Sequence, residues 1–292
     1  MKISLYQQDI DWLSPTTNYQ KIEKVLQDLQ DTELLVLPEM CNTGFITLPQ
    51  PGQLEPAAAV EERLLQLSQK YNTALCGSFA VRDESLDDTV NDSLVNSSDD
   101  YLPEEVQKVS QVKKVNQAKS SNPVKNVNRC YFVTPEGELY HYDKHHLYTP
   151  GLEHKGYRAG QEKVMVTWRG IRFRLAVCYD LRFPTWNRYS QETPYDILLC
   201  VANWPEARQL AWDTLLRARA IENQAFVIGV NRVGQDLMCT YRGGSCAIHP
   251  YGHPLAQCTD HTESICSFSP DMDKLREFRA KFPSLRDKDE EL

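Results

Sequence analysis

The chain has 292 residues, 41% hydrophobic and 25% charged, the balance of an ordinary globular protein with apolar material for one large domain or two small ones. Its formal net charge of −8 argues against general attraction to nucleic acid or an anionic membrane, both of which favour a basic face. The nine cysteines form no Cys-x-x-Cys pair, which argues against a zinc ribbon or a thioredoxin-type redox pair and fits a reducing cytoplasm with most thiols buried.

The opening Met-Lys-Ile-Ser-Leu-Tyr-Gln-Gln has no long apolar core and does not read as a secretion signal. Residues 2–8 alternate like a strand, with Ile3 and Leu5 on one face. After Ser14-Pro15, Tyr19, Ile22, Val25, Leu26 and Leu29 recur at helical spacing, and 34–37 is a continuous apolar strand stopped by Pro38. Val60, Leu64, Leu67 and Tyr71 mark a second helix, and 74–81 is again strand-like. The stretch 83–126 is rich in Asp, Ser, Asn, Lys and Gln and holds too little large apolar surface to offset its ordering entropy. It reads as a polar surface insertion with one short helix near 103–112, because strands 74–81 and 129–134 on either side look like hairpin partners.

Pro135-Glu136-Gly137 is a turn signal, followed by a strand in 137–144 and a polar loop, 145–160. A hairpin pairs 164–168 with 171–178 across Arg169-Gly170. A buried strand at 196–203 leads to a helix at 208–223, with Leu210, Leu215, Ala218 and Ile221 among its apolar positions. Further strands are expected at 225–233, 244–248, 254–257 and 264–269, then a helix capped by Asp271 and running to Lys281. The apolar runs at 197–202 and 225–230 are too short to span a bilayer. Continuous apolar strands alternating with helices imply a mixed α/β fold whose sheets are covered on both faces. Residues 1–285 are read as one domain with the 83–126 insertion, and 286–292 as a charged tail.

Three polar residues stand where strands end: Glu39 after 34–37, Lys144 before the polar loop, and Cys178 in Val-Cys-Tyr-Asp-Leu-Arg-Phe-Pro. In open α/β sheets functional groups gather beyond the carboxyl ends of strands. Alone, each has a plain explanation as a packed cysteine, a solvated carboxylate or a surface lysine. Together and in this order they resemble the nitrilase superfamily of carbon–nitrogen hydrolases, whose signatures are such a Glu, Lys and Cys. The resemblance covers the chain outside 83–126, and the long interval between Glu39 and Lys144 is accounted for by that insertion.

The resemblance implies a four-layer α-β-β-α sandwich, usually a homodimer, and cysteine-dependent hydrolysis with no cofactor and no metal. A thiol of ordinary pKa ~8.5 needs a neighbouring base or cation to act as nucleophile near neutrality. Glu39 is the expected base, and Lys144 with a backbone N–H near Tyr179 the expected oxyanion donors. Glu153 matches the second glutamate that many family members carry beside the lysine, and would orient Lys144. His141, His145 and His146 have no carboxylate or cysteine at ligand spacing and are read as loop histidines.

Within the superfamily the chain is most similar to bacterial omega-amidases, through Tyr-Asp-Lys-x-His-Leu, Glu-His-x-x-Tyr-x-Ala-Gly, Val-Ala-Asn-Trp-Pro and Arg-Ala-Ile-Glu-Asn-Gln-Ala. That branch hydrolyses the terminal amide of 2-oxoglutaramate or 2-oxosuccinamate to ammonia and a 2-oxo dicarboxylate. A substrate bearing a carboxylate calls for a cation, and Arg182 is the candidate; the alternative for it is a structural salt bridge. Phe45, where relatives can carry Tyr, and Trp204 are candidate pocket walls, although Trp204 could equally be simple packing. The alternatives are a nitrilase or N-carbamoyl amine hydrolase with the same triad, or a catalytically idle binding protein.

Overall fold

The computed structural model describes residues 1–29, 31–86 and 125–287. In the first half, strand β1 (Ile3–Gln7) leads through helix α1 (Pro15–Asp28) to β2 (Leu34–Val36). The short β3 (Glu55–Pro56), helix α2 (Ala57–Tyr71), β4 (Ala74–Arg82), β5 (Asn126–Val133) and β6 (Leu139–Asp143) follow. The second half opens with β7 (Met165–Trp168) and β8 (Ile171–Val177), then β9 (Ile197–Ala202), helix α3 (Gln209–Asn223) and β10 (Phe226–Asn231). A small hairpin, β11 (Val233–Gln235) with β12 (Thr240–Arg242), precedes β13 (Cys246–Ile248), β14 (Pro254–Gln257), β15 (Ser264–Phe268) and helix α4 (Met272–Lys281).

Two mixed sheets result, ordered β15-β1-β2-β4-β5-β6, with β3 also on β4, and β14-β13-β10-β9-β8-β7. The centre of each is parallel, β1-β2-β4 in one and β8-β9-β10 in the other, and antiparallel strands close the flanks. Strand alternation sorts the side chains into layers. Leu34 and Val36 face the second sheet and join one core with Phe132, Phe173 and Leu175, whereas Leu35 and Leu37 face outward beneath Ile22 and Leu26 of α1 and Val60 and Leu64 of α2. Helix α3 covers the second sheet with Trp212, Leu216 and Ala220, each burial of a leucine contributing about 2 kcal/mol. Gly229 permits this approach, since a Cβ there would lie 2.5 Å from Leu216 Cδ1. The layers run α-β-β-α, as the resemblance implied.

Strands β4 and β5 pair antiparallel from Leu75–Val133 to Arg82–Asn126, so the polar stretch leaves and re-enters at one end of a hairpin. Residues 87–124 of that stretch, the helix expected near 103–112 and tail residues 288–292 lie outside the described residues. Helix α3 departs from the expected apolar face: Leu210 is 81% exposed and Ile221 55% exposed. Trp212 sets the rotation instead, because its Nε1–H reaches the Gly244 carbonyl at 2.9 Å and its indole fills the space over β10. Among the described residues no helix is long and apolar enough to cross a membrane.

Candidate active site

The ends of β2, β6 and β8 converge, bringing Glu39, Lys144 and Cys178 together. Glu39 and Lys144 are wholly shielded from solvent and Cys178 is 8% exposed. Lys144 Nζ donates to Glu39 Oε1 at 2.9 Å and to Glu153 Oε1 and Oε2 at 3.1 and 2.8 Å. One ammonium therefore sits between two buried carboxylates. Asn128 Nδ2 donates to both acids, at 2.8 Å to Glu39 and 2.9 Å to Glu153. Its own Oδ1 accepts from Ser78 Oγ, which ties the cluster to β4.

Glu39 is fixed from the second sheet as well. Its Oε2 accepts the Asn203 backbone N–H at 2.8 Å, and its carbonyl accepts Asn203 Nδ2 at 2.8 Å. The Cys178 thiol faces the Glu39 carboxylate and the Asn203 carbonyl, 3.9 Å from the latter. Burial draws Lys144 down, but the Glu153 and Glu39 carboxylates more than offset it and hold the ammonium well above the ordinary lysine range. Burial pushes Glu153 up against the pull of Lys144. Burial, followed by the Glu39 charge, pushes the Cys178 thiol well up, with Lys144 opposing. Burial thus favours the protonated thiol at Cys178, beside the Glu39 carboxyl group.

Cys178 opens a tight helical turn, Cys178–Arg182, with φ of 47°, a left-handed conformation costly for a residue with a Cβ. Asp180 braces it. Its Oδ2 accepts the Val177 N–H at 3.0 Å and the Tyr142 hydroxyl at 2.7 Å. Its Oδ1 accepts the His146 N–H at 2.9 Å and lies 2.8 Å from His146 Nδ1. Burial alone would raise this carboxyl, yet the hydrogen bonds from His146, Val177 and Tyr142 hold it below the ordinary range. His145 stacks on Trp186 with centroids 3.7 Å apart, and His146 stacks on Phe183 at 3.8 Å. Among the described residues no group of three or more His, Cys, Asp or Glu side chains is gathered for a metal.

Aromatic side chains flank the cluster. Phe45 lies 5.4 Å from Lys144 Nζ and 6.3 Å from the Tyr148 ring, which also meets Tyr179 at 5.2 Å. Gly151 makes room for Tyr148, as a Cβ there would lie 2.6 Å from Tyr148 Cδ1. The Tyr148 N–H donates to Glu153 Oε2 at 2.6 Å, so Glu153 positions this wall as well as the lysine. Trp204 is buried, its backbone N–H donating to Asn231 Oδ1 at 2.7 Å and its Nε1–H to the Arg208 carbonyl at 2.8 Å. The Arg182 guanidinium rests 4.8 Å over the Trp204 ring, with no acid partner among the described residues. The salt-bridge alternative for Arg182 finds no support in these contacts.

Asn128, Asn203, Tyr148 and Asp180 are the members that sequence reasoning did not single out. Asn203 and Asp180 lie inside quoted motif phrases, and a buried polar residue beside a catalytic candidate is the signal that could have found them. Asn128, one polar residue in a strand, carries no such signal.

A family model described as carbon-nitrogen hydrolase matches residues 2–280. Omega-amidase YafV of Escherichia coli (strain K12) is 36% identical over 291 residues, covering 99% of this chain and 97% of the relative. The 2-oxoglutaramate amidase of Bacillus subtilis (strain 168) is 29% identical over 290 residues, covering 98% and 96%. Among solved structures, XC1258 from Xanthomonas campestris, a CN-hydrolase superfamily protein with an arsenic adduct in its active site, superposes with a TM-score of 0.82 at 33% identity, covering 100% of this chain and 98% of that one.

Proposed function

Because the chain belongs to the carbon–nitrogen hydrolase family, we propose that it is an omega-amidase that frees ammonia from the terminal amide of a small 2-oxo acid, 2-oxoglutaramate or 2-oxosuccinamate. The observation that carries the chemistry is the buried cluster in which Lys144 bridges Glu39 and Glu153 while Glu39 faces Cys178. The substrate rests on similarity to the omega-amidase and 2-oxoglutaramate amidase relatives and on the guanidinium of Arg182, which follows Cys178 in the same turn and rests over Trp204.

As the Cys178 sulfur attacks the amide carbon, Glu39 takes the thiol proton, so a thiol that rests protonated becomes the nucleophile in the step that uses it. The tetrahedral oxyanion is held by the Lys144 ammonium and the Tyr179 backbone N–H, donors each worth ~100- to 1000-fold in rate at comparable sites. Glu39 then passes its proton to the departing nitrogen. Ammonia leaves and a thioester joins the acyl group to Cys178. Water, deprotonated by Glu39, attacks the thioester carbon; the thiolate leaves, regains the proton and releases the acid. Glu153 keeps Lys144 charged and aimed, and no step calls for a metal or an organic cofactor.

On this reading residues 1–285 form one catalytic domain with the 83–126 stretch as an addition, working in a reducing cytoplasm as a homodimer. The exposed Leu210 and Ile221 on α3 offer apolar surface for a second copy, and sedimentation velocity tests the dimer. Ammonia release from 2-oxoglutaramate, glutamine, an aliphatic nitrile and an N-carbamoyl amine tests the substrate. The highest kcat/KM is expected for 2-oxoglutaramate, and preference for the nitrile or carbamoyl compound would replace this reading.

A further inference from the structure

The omega-amidase reading leaves open what recognises the far end of the substrate, where a carboxylate adjoins a ketone. Besides Arg182, a second guanidinium rests on an aromatic ring of the same neighbourhood. Arg208 lies in the turn Glu206–Arg208 that leads into α3, four residues beyond Trp204, and its Cζ sits 5.4 Å from the centroid of the Tyr148 ring. Tyr148 in turn packs against Phe45 and Tyr179, and burial raises its hydroxyl while the Arg208 charge pulls the other way. Trp204 connects the two cations, carrying Arg182 over its face while its Nε1–H holds the Arg208 carbonyl.

Neither guanidinium has an acid partner among the described residues, whereas several arginines elsewhere in the chain do. Arg129 pairs with Asp83 and Asp143, Arg172 with Asp196, Arg219 with Glu222 and Arg242 with Asp260. In a chain of net charge −8 acids are plentiful. Two half-buried guanidiniums on aromatic faces, Arg182 in the turn that Cys178 opens and Arg208 over the Tyr148 ring that packs on Tyr179, therefore form a local positive site in an otherwise acidic protein, and such a site concentrates an anion.

We propose that Arg208 acts with Arg182 as a two-guanidinium clamp for the 2-oxo acid end of the substrate, and that this clamp selects 2-oxo acid amides over the corresponding amino acid amides. The proposal rests on the omega-amidase reading and adds a specificity-determining residue to it. One guanidinium fork matches one carboxylate; two forks supply donors for both carboxylate oxygens and the neighbouring ketone oxygen. Glutamine has an ammonium in place of that ketone. Between two guanidiniums the ammonium is repelled and its N–H donors meet only donors, so discrimination comes from an unfavourable contact with the wrong substrate as well as a favourable one with the right substrate.

The test compares wild type, Arg208→Gln and Arg208→Lys on 2-oxoglutaramate, glutamine and butyramide, which has no carboxylate. Arg208→Gln is expected to raise KM for 2-oxoglutaramate about tenfold or more relative to butyramide, the scale of one lost charge-assisted contact. The preference for 2-oxoglutaramate over glutamine should narrow, and Arg208→Lys should recover part of the loss. Equal losses on all three substrates, or an unchanged KM ratio, would overturn the clamp. A second measurement is independent of turnover: protection of Cys178 from iodoacetamide by 2-oxoglutarate, read by peptide mass spectrometry. Protection in wild type that weakens at least tenfold in Arg208→Gln supports the clamp, and if 2-oxoglutaramate is then not hydrolysed, only the assigned reaction falls. Absence of protection in wild type, or equal protection in the variant, refutes the clamp even if omega-amidase activity is present.

Discussion

Lys144 donates to Glu39 at 2.9 Å with both side chains wholly removed from solvent. An ion pair at such depth is costly to assemble and costlier to break, because the partner left behind is an uncompensated buried charge. Here two acids, Glu39 and Glu153, would be left facing each other. Lys144→Met is expected to lower unfolding free energy by about 3–5 kcal/mol in urea titrations and to abolish ammonia release. Unaltered stability would mean that the two acids share a proton or that water enters.

Glu153 accepts from Lys144 and from the Tyr148 N–H. Glu153→Gln is expected to leave the nucleophile in place but to lower kcat about 100-fold, through a lysine less firmly aimed at the oxyanion. Burst-phase kinetics would separate a slowed acylation from a slowed release. A change confined to KM would count against the positioning role.

Asp180 holds the left-handed turn at Cys178 by accepting from Val177, Tyr142 and His146. Replacing it with Asn exchanges one accepting oxygen for a donor amide that faces other donors. We expect a stability loss of about 1–3 kcal/mol with kcat falling more than KM rises, checked by pairing thermal melts with steady-state kinetics. Full activity would show that the turn holds its strain without the carboxylate.

Burial pushes the thiols of Cys41, Cys178 and Cys200 well above the ordinary range and that of Cys246 to about 12. In the unfolded chain they ionise near ~8.5. Above that pH the unfolded state binds fewer protons than the folded state, so the stability these groups supply is complete below about pH 8.5 and is lost as pH rises toward their folded values. The urea midpoint should fall between pH 8 and 9.5, and fall less steeply in Cys200→Ala. A flat midpoint across that window would contradict the protonated resting thiols.

Much of this was legible in the sequence because the decisive signals are local. Apolar runs ending at Glu39 and Cys178 announce strand ends, and Asp271 caps α4 by accepting the Lys274 N–H, as its position before the helix suggested. What was hidden is relational. Nothing local tells that Asn128 on β5 reaches both carboxylates, or that Arg208, near in sequence to Trp204, lies over Tyr148 from another loop. The exposed side of α3 was misjudged for a related reason, since Trp212 turns the helix through its bond to Gly244, a partner far along the chain. Strands as short as β3 and β11 owe their existence to neighbours and carry no pattern of their own.

The account stands most directly on the thiol of Cys178. Ammonia release from 2-oxoglutaramate by Cys178→Ala, measured beside the wild type with circular dichroism to establish that both are folded, isolates it. We predict a folded variant with no ammonia release above the uncatalysed rate, and with no acyl adduct by intact mass where the wild type forms one. A folded Cys178→Ala protein that still releases ammonia at a wild-type rate would contradict the thioester mechanism.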